Sequence, residues 1–482
     1  MADHPVAGRR VEPLRPDDAF FLHAETPGVQ QHVGGLAVLD ASPRPDGPIR
    51  LDELAGRLDA ALAAAPRLRQ RLAVPPGGVA RPAWVEDGSF SLDRHLHALQ
   101  VAAPGGRREL EAAVETVMSQ PLDRSRPLWE VYLIGGLAEG RQALLLKLHH
   151  AIADGIGALA IAERLFDQEG AAGGHAERPA ASADPPSDPP SDPPNEPGRV
   201  EVLAATIGHQ VFAPWQELVT AGLRAATNRQ GVWRQARRTV AGVWQLARGG
   251  PAPASPLNGA VQPGRRIVLT EVARADLEAA RRHHGGTAND VLLAAVASAL
   301  HDWFASSGEP APDVVRTMVP VSTRRDRDAA GTWTATLDID LPVGPMGPED
   351  RLRAVTAATR RAKRSSQSHG SRFVMSAVGT WAPPFLHARF ARFAYRGRWF
   401  NLIVSNVPGP RRPLSLAGAR VVTAYPIMPL AEDVGLTIAA ITWPDQMTIG
   451  VTADPSRVSE AESLARRVVE CVEQLAKGED SA

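Results

Sequence analysis

The sequence predicts an α/β protein of two domains, each a mixed sheet covered by helices. Three observations carry this. A chain of 482 residues exceeds one typical core. Strand-like and helix-like apolar periods alternate on both sides of its middle. Composition breaks at Gly170, and residues 178–198 repeat Asp-Pro-Pro-Ser, Asp-Pro-Pro-Ser, Asp-Pro-Pro-Asn. Prolines remove backbone donors and favour polyproline II, so this stretch is an extended, solvated linker. The expected division is a domain at 1–177, the linker at 178–198, a helical connector at 199–260 and a second domain at 261–482.

Taken in order, residues 33–39 read as a strand, following the polar turn Arg15-Pro16-Asp17-Asp18 and the apolar Ala19-Phe20-Phe21-Leu22. Residues 51–65 place Leu51, Leu54, Leu58 and Leu62 three or four apart, a helix that Pro66 ends. Short extended pieces follow at 82–85 and 90–92. Leu110, Val114, Val117 and Met118 mark a second helix at 108–120. Residues 128–137 and 141–148 make a strand pair around Glu139-Gly140. Trp129 stands on the first of these strands, as a wall of a cleft or as plain packing, the commoner state of such an aromatic. The connector interleaves arginines with Trp215, Trp233 and Trp244. It suits a solvated joint between domains, and also a helix lying on an anionic bilayer.

The second half opens with a strand at 266–270 and helices at 275–284 and 287–304. Asn289 and Asp290 fall in the first turn of the latter, where an Asp favours the helix dipole and capping is the plain explanation. Strands at 314–321 and 334–343 come next, then a basic helix at 349–363. A largely helical run at 373–395 breaks at Pro383-Pro384. A strand at 401–405 runs into Asn406-Val407-Pro408-Gly409-Pro410, a turn fixed by Pro and Gly. Ser405 and Asn406 thereby present short polar groups at a strand end, where an acyl oxygen or a carrier can bind. A hairpin at 434–451 and a last helix opened by a Ser459-x-x-Glu462 capping box complete the chain.

Chemistry concentrates at His149-His150-Ala151-Ile152-Ala153-Asp154-Gly155. An apolar strand precedes it and an apolar helical pattern follows, and crevices open at the carboxyl ends of strands. Successive strand residues face opposite ways, so one histidine can meet a cleft while the other packs inward. An imidazole titrating near pH 6.5 can take a proton from a hydroxyl and return one to a leaving group. Asp154 can orient the turn by accepting backbone N–H groups or pair with an arginine. Gly155 lets the backbone turn without a Cβ clash. Two structural histidines explain the pair equally well on spacing alone. A zinc site fits less well, because adjacent strand histidines diverge and no third ligand stands nearby.

The arrangement His-His-x-x-x-Asp-Gly resembles the signature of the CoA-dependent acyltransferase superfamily. The whole chain resembles the bacterial wax ester synthase/diacylglycerol acyltransferase family. Pro127-Leu128-Trp129-Glu130, Asn289-Asp290-Val291, Val319-Pro320-Val321-Ser322-Thr323-Arg324 and Ser405-Asn406-Val407-Pro408-Gly409-Pro410 resemble family blocks and stand in the family's order. Asp18, Phe20 and Glu25 fit its opening block, with Gln31 where the family often has Met. Gly331-Thr332-Trp333 departs from the family's Gly-Asn, which bears on acceptor choice or channel shape. The resemblance implies two chloramphenicol-acetyltransferase-like domains with a channel between them. It implies His150 as general base, with His149 and Asp154 supporting it. It also implies that Asn289 helps shape the site and that Glu25 lines the channel, although a surface carboxylate is the plainer reading of Glu25. Acyl-CoA would be the co-substrate, with no cofactor and no covalent intermediate, and no G-x-S-x-G elbow occurs. The acceptor would be diacylglycerol or a long-chain alcohol. An acceptor from secondary metabolism is the rival enzyme reading, and a non-catalytic lipid-surface protein the rival outside enzymes.

Other classes are disfavoured by the totals. Lys plus Arg and Asp plus Glu both number 53, so no net field draws nucleic acid. The single cysteine, Cys471, forms no intramolecular disulfide. The early residues lack an apolar signal segment and no run reaches 18 apolar residues. The expectation is a cytoplasmic protein that touches a membrane or lipid droplet peripherally at most.

Overall fold

The computed structural model describes residues 11–63, 65–75, 80–153, 155–168, 201–206, 249–322, 334–364, 378–379, 382–410 and 412–478, with the single positions 208, 230 and 237. The linker 178–198 and most of the connector, with its tryptophans, lie outside them. So do Asp154, Thr323, Arg324 and the Gly331-Thr332-Trp333 triplet.

In the first half the strands are β1 (Glu12–Pro13), β2 (His32–Asp40), β3 (Gln70–Ala73), β4 (Ala83–Glu86), β5 (Leu96–Gln100), β6 (Trp129–Gly135), β7 (Gln142–His149) and β8 (Asp167–Gln168). In the second half they are β9 (Arg266–Ala273), β10 (Val314–Ser322), β11 (Thr334–Pro342), β12 (Leu402–Pro408), β13 (Leu414–Leu416), β14 (Ala419–Ile427), β15 (Leu436–Thr442) and β16 (Gln446–Ala453). Among the described residues, the α-helices with both ends in view are α1 (Pro16–Ala24), α2 (Leu51–Ala63), α3 (Arg107–Ser119), α4 (Gly155–Glu163), α5 (Arg274–His284), α6 (Ala288–Ser307), α7 (Pro348–Arg364), α8 (Pro384–Ala394) and α9 (Ala461–Lys477). Two mixed sheets result, as predicted. One runs β5-β6-β7-β2-β14-β13-β8, the other β11-β10-β12-β15-β16-β9, and a small sheet β1-β4-β3 stands apart.

The halves do not keep to themselves. β13 and β14 come from the C-terminal segment but join the first sheet, where β14 lies antiparallel to β2 from Arg420↔Asp40 to Ile427↔Gly34. Gly450 of β16 sits where β14 crosses, and a Cβ there would collide with the Pro426 carbonyl. In the other direction, α3 of the first half seals β9, the edge of the second sheet. Leu269 N donates to Glu111 Oε1 and Ile267 N to Glu115 Oε1, each at 2.9 Å. Unpaired edge donors are thereby capped by carboxylates.

Apolar side chains follow strand alternation. Leu144, Leu146 and Leu148 of β7 join the core with Leu54, Leu58 and Trp129, while Ala143 and Leu145 face α3. In the second sheet, Leu402 and Val404 lie under α6, α7 and α9, and Ile403 turns the other way, toward Phe20 and Tyr395. Among the described residues no helix is long and apolar enough to cross a membrane.

Several local expectations differ from the outcome. Residues 16–24 form a helix, with Pro16 in its first turn. Strands β1, β3, β5, β8, β13 and β14 have no counterpart in the sequence reading. The Ser459-x-x-Glu462 capping box does not form: the N-cap of α9 is Glu460 with no side-chain bond, and Glu462 pairs with Arg266 of β9 and with Arg108 of the first half. Asp290 is the capping residue that does form. Its Oδ2 accepts from Thr287 N and Thr287 Oγ1 at 2.8 Å, and Thr287 Oγ1 accepts from Asp290 N at 3.2 Å.

Candidate active site

His149 closes β7 and His150 follows it. The pairing His32↔His149 in β2 and β7 sets the frame. The His150 N–H donates to Gln31 O at 2.8 Å, and the His149 N–H to Leu128 O at 2.9 Å. Both histidines are buried, at 1% and 6% exposure. They point apart, as alternation requires. His149 turns to the α3 side with Lys147, whose Nζ donates to Val117 O at 2.9 Å and Gln120 O at 2.7 Å. The His150 ring stacks on Phe21 of α1, centroids 3.7 Å apart and planes 15° apart. Phe21 meets Tyr395 edge-on at 5.8 Å. The second histidine therefore lies where α1 of the first half meets the Tyr395 segment of the second.

A carboxylate braces the first histidine. Glu25, just past α1, accepts from Gln31 N at 3.2 Å, pairs with Arg124, and places its Oε2 3.5 Å from His149 Nε2. His149 Nδ1 accepts the Ala151 N–H at 3.0 Å, so that nitrogen is unprotonated and Nε2 carries the hydrogen that faces Glu25. Burial would push the Glu25 carboxyl up, but His149 and Arg124 overcome it and hold it down to about 2. His32 Nε2 lies 3.8 Å from the other carboxylate oxygen. Burial, with Lys147 and His149 nearby, depresses that imidazole to about 3. The Glu25 carboxylate is thus engaged by the protein's own donors, as a brace for the first histidine would be.

The remaining candidates divide. Ser405 is buried and shares a strand face with Ile403, the face that meets Phe20 and Tyr395. Asn406 points the other way, and its Oδ1 accepts from Thr442 Oγ1 at 3.3 Å. Gly155 opens α4, next to the histidine turn. Trp129 is no wall of the site. It is 1% exposed within the first-half core, its Nε1 donates to Leu68 O at 2.7 Å, and its ring stacks on His95 at 4.5 Å. Its neighbour Glu130 takes the other strand face, half-buried, where its Oε2 accepts from the Tyr132 hydroxyl at 2.9 Å and from Lys147 Nζ at 3.5 Å. Asn289 is half-buried at the start of α6, where the neighbouring Gly286 approaches Thr356 of α7, and no measured contact ties it to His150 among the described residues.

Sequence reasoning gave no role to Phe21, Arg124 or His32. Gln31 enters the sequence reading only as a departure from the family's Met that bears on the channel lining. It is fully buried, its carbonyl holds His150 N–H, and its Nε2 crosses to Leu430 O of the second half at 3.2 Å. The signal available was strand pairing: once residue 32 is set opposite 149, Gln31 and His150 become cross-strand neighbours on one face. Among the described residues no three His, Cys, Asp or Glu side chains gather as a metal site.

Two mixed sheets, with a buried histidine at a strand end between them, define the acyltransferase class that the motif suggested. The wax ester synthase/diacylglycerol acyltransferase catalytic domain matches residues 14–292, and the C-terminal domain of the same family matches residues 330–476. The chain belongs to this family. A probable diacylglycerol O-acyltransferase of Mycobacterium tuberculosis, tgs1, is 34% identical over 473 residues, covering 95% of this chain and 94% of that one. A putative diacylglycerol O-acyltransferase of the same species, Rv1760, is 30% identical over 484 residues, covering 96% and 90%. Among solved structures, the wax ester synthase/diacylglycerol acyltransferase of Marinobacter aquaeolei VT8 superposes with a TM-score of 0.63 at 24% identity, covering 96% of this chain and all of that one. The first condensation domain of the calcium-dependent antibiotic synthetase gives 0.62 at 17%, covering 98% and 97%, which shows a shared fold.

Proposed function

We propose that the protein transfers a long-chain acyl group from acyl-CoA to the hydroxyl of diacylglycerol, and also of long-chain alcohols, giving triacylglycerol and wax esters. The observation that carries this is His150. Its ring is buried between the two halves against Phe21, and its backbone is fixed by Gln31.

In this reading His150 removes the acceptor hydroxyl proton as the oxygen attacks the thioester carbonyl. The C–O bond forms, the C–S bond breaks, and the imidazolium returns the proton to the departing CoA sulfur. No acyl-enzyme and no cofactor are required. Ser405, on the strand face that meets Phe20 and Tyr395, is the hydroxyl we assign to the thioester oxygen as negative charge develops there. His149 supports from behind: Glu25 and the Ala151 N–H fix its ring, and that fixes the turn from which His150 projects. Gly155 opens α4 at the end of the same turn, and Asp154 is assigned a supporting part by its place in the motif alone. The relatives' names support diacylglycerol as acceptor. The lipid acceptor favours an enzyme held peripherally at a membrane face or lipid droplet, within the cytoplasm.

The test is free-thiol release from palmitoyl-CoA with diacylglycerol or hexadecanol, wild type beside His150→Ala. Loss of a general base is worth about 10²–10⁴-fold in rate. Equal rates in the two proteins remove His150 from this role. Wild-type silence with both alcohols points to another acceptor.

A further inference from the structure

Helix α8 shows two unlike faces. Ala391, with Phe390 and Ala394, packs into the cluster containing Phe20 and Tyr395, and His387 meets His23 of α1 at 5.3 Å. The opposite face carries Phe385, Arg389 and Phe393 at intervals of four, flanked by Leu386 and Arg392. All five are exposed. Phe385, Leu386 and Phe393, at 61%, 45% and 51%, are three of the five large apolar side chains left exposed among the described residues. A single exposed phenylalanine is ordinary, whereas three large apolar groups grouped on one helix mark a contact surface.

Charge identifies the occupant. From Arg351 to Ala431 the sequence has no Asp or Glu against thirteen arginines and one lysine; Arg351 is buried against Ser298, and Arg353, Arg396 and Arg420 pair with Asp350, Asp433 and Asp40, which leaves Arg389 and Arg398 exposed beside the phenylalanines. On α8 the exposed Arg389 stands one turn from both Phe385 and Phe393, while Arg392 donates its Nε to His23 O at 3.2 Å. Beyond the helix, Arg398 lies over the Trp399 ring at 5.6 Å, and Trp399 meets Phe393 edge-on at 5.2 Å. A helix face that mixes basic heads with aromatic and aliphatic side chains, and lacks acids, suits the boundary between anionic headgroups and acyl chains. Arginine heads reach phosphates while phenylalanines enter the hydrocarbon edge.

We propose that the outer face of α8 seats the protein on an anionic lipid surface. The inner face of the same helix abuts the Tyr395–Phe21 contact that backs His150. Docking here therefore sets the catalytic cleft beside the lipid in which a diacylglycerol acceptor dissolves. The catalytic half of this inference rests on the acceptor reading above, and the docking half stands without it.

The experiment is co-sedimentation with phosphatidylcholine vesicles, with and without phosphatidylglycerol, comparing wild type with the double variant Phe385→Asp, Arg389→Glu. Both positions are exposed, so the fold should hold, and circular dichroism checks it. Wild type should bind the phosphatidylglycerol vesicles, and the variant should bind them about tenfold less or weaker still. Thiol release with a water-soluble short-chain alcohol should not change in the variant. Equal sedimentation of the two proteins overturns the proposal, and so does binding indifferent to phosphatidylglycerol. A dimer in solution that the same variant abolishes also overturns it, by assigning the face to a second copy. Wild type that binds vesicles but releases no thiol refutes the catalytic reading alone.

Discussion

Replacing Glu25 with Gln separates a bracing carboxylate from a substrate-binding one. In the folded protein this carboxyl titrates at about 2 instead of 4.5, a difference worth about 3 kcal/mol at neutral pH. Part of that attraction comes from His149, whose Nδ1 accepts an amide hydrogen and whose ring is therefore neutral. A dipole attracts less than a full charge, so the expected loss is nearer 2 kcal/mol. The variant keeps the size of the side chain but gives up the Arg124 ion pair and turns a donor or a weaker acceptor toward His149. Urea unfolding should show the loss at pH 7 and little of it below pH 2. A folded-state carboxyl held low stabilises above the unfolded value of 4.5, and that stability vanishes as pH falls through about 2. In the thiol-release assay kcat should fall, because the turn before His150 loosens, while KM for acyl-CoA stays near wild type. A variant as stable as wild type at neutral pH, or one whose only defect is a raised KM, would refute the bracing argument.

Two further outcomes follow from the same geometry. Burial depresses His32 to about 3, His23 to about 4 and His387 to about 3, with nearby cations adding to it, and each must stay neutral in the fold. The unfolded chain binds those protons below pH 6.5, so each histidine costs about 2 kcal/mol at pH 5, and stability falls from pH 6.5 toward pH 4. Melting at pH 8 and pH 5 tests this, and a flat profile contradicts it. Trp129→Phe should lower stability by about 1–3 kcal/mol, because the Leu68 carbonyl loses its indole donor in a buried setting, and should leave KM for both substrates unchanged. A selective rise in acceptor KM would return Trp129 to the site.

Residues near one another in the chain were legible. The hairpin of β6 and β7 that delivers the histidines follows from apolar runs around Glu139-Gly140, and the start of α6 from Thr287 and Asp290. Both depend on backbone period and local hydrogen bonds, which neighbours in sequence decide. The Ser459–Glu462 pair shows the limit of that logic: the motif was present, but Arg266 and Arg108, from another part of the chain, took the glutamate.

The sequence by itself determined two mixed α/β halves and a reactive histidine at a strand end. Only the tertiary structure decided what surrounds that histidine. Phe21 lies 129 positions before His150, as their numbers show, yet the two rings stack; Gln31 reaches Leu430 across a separation of 399 residues. β14 leaves its own half to pair with β2, which no alternation within it announces. Glu25, Asn406 and Trp129 were legible as residue types and not as roles. A side chain's role depends on which strand face it occupies and which partner packs there, and both are set by register and by the docking of one half on the other.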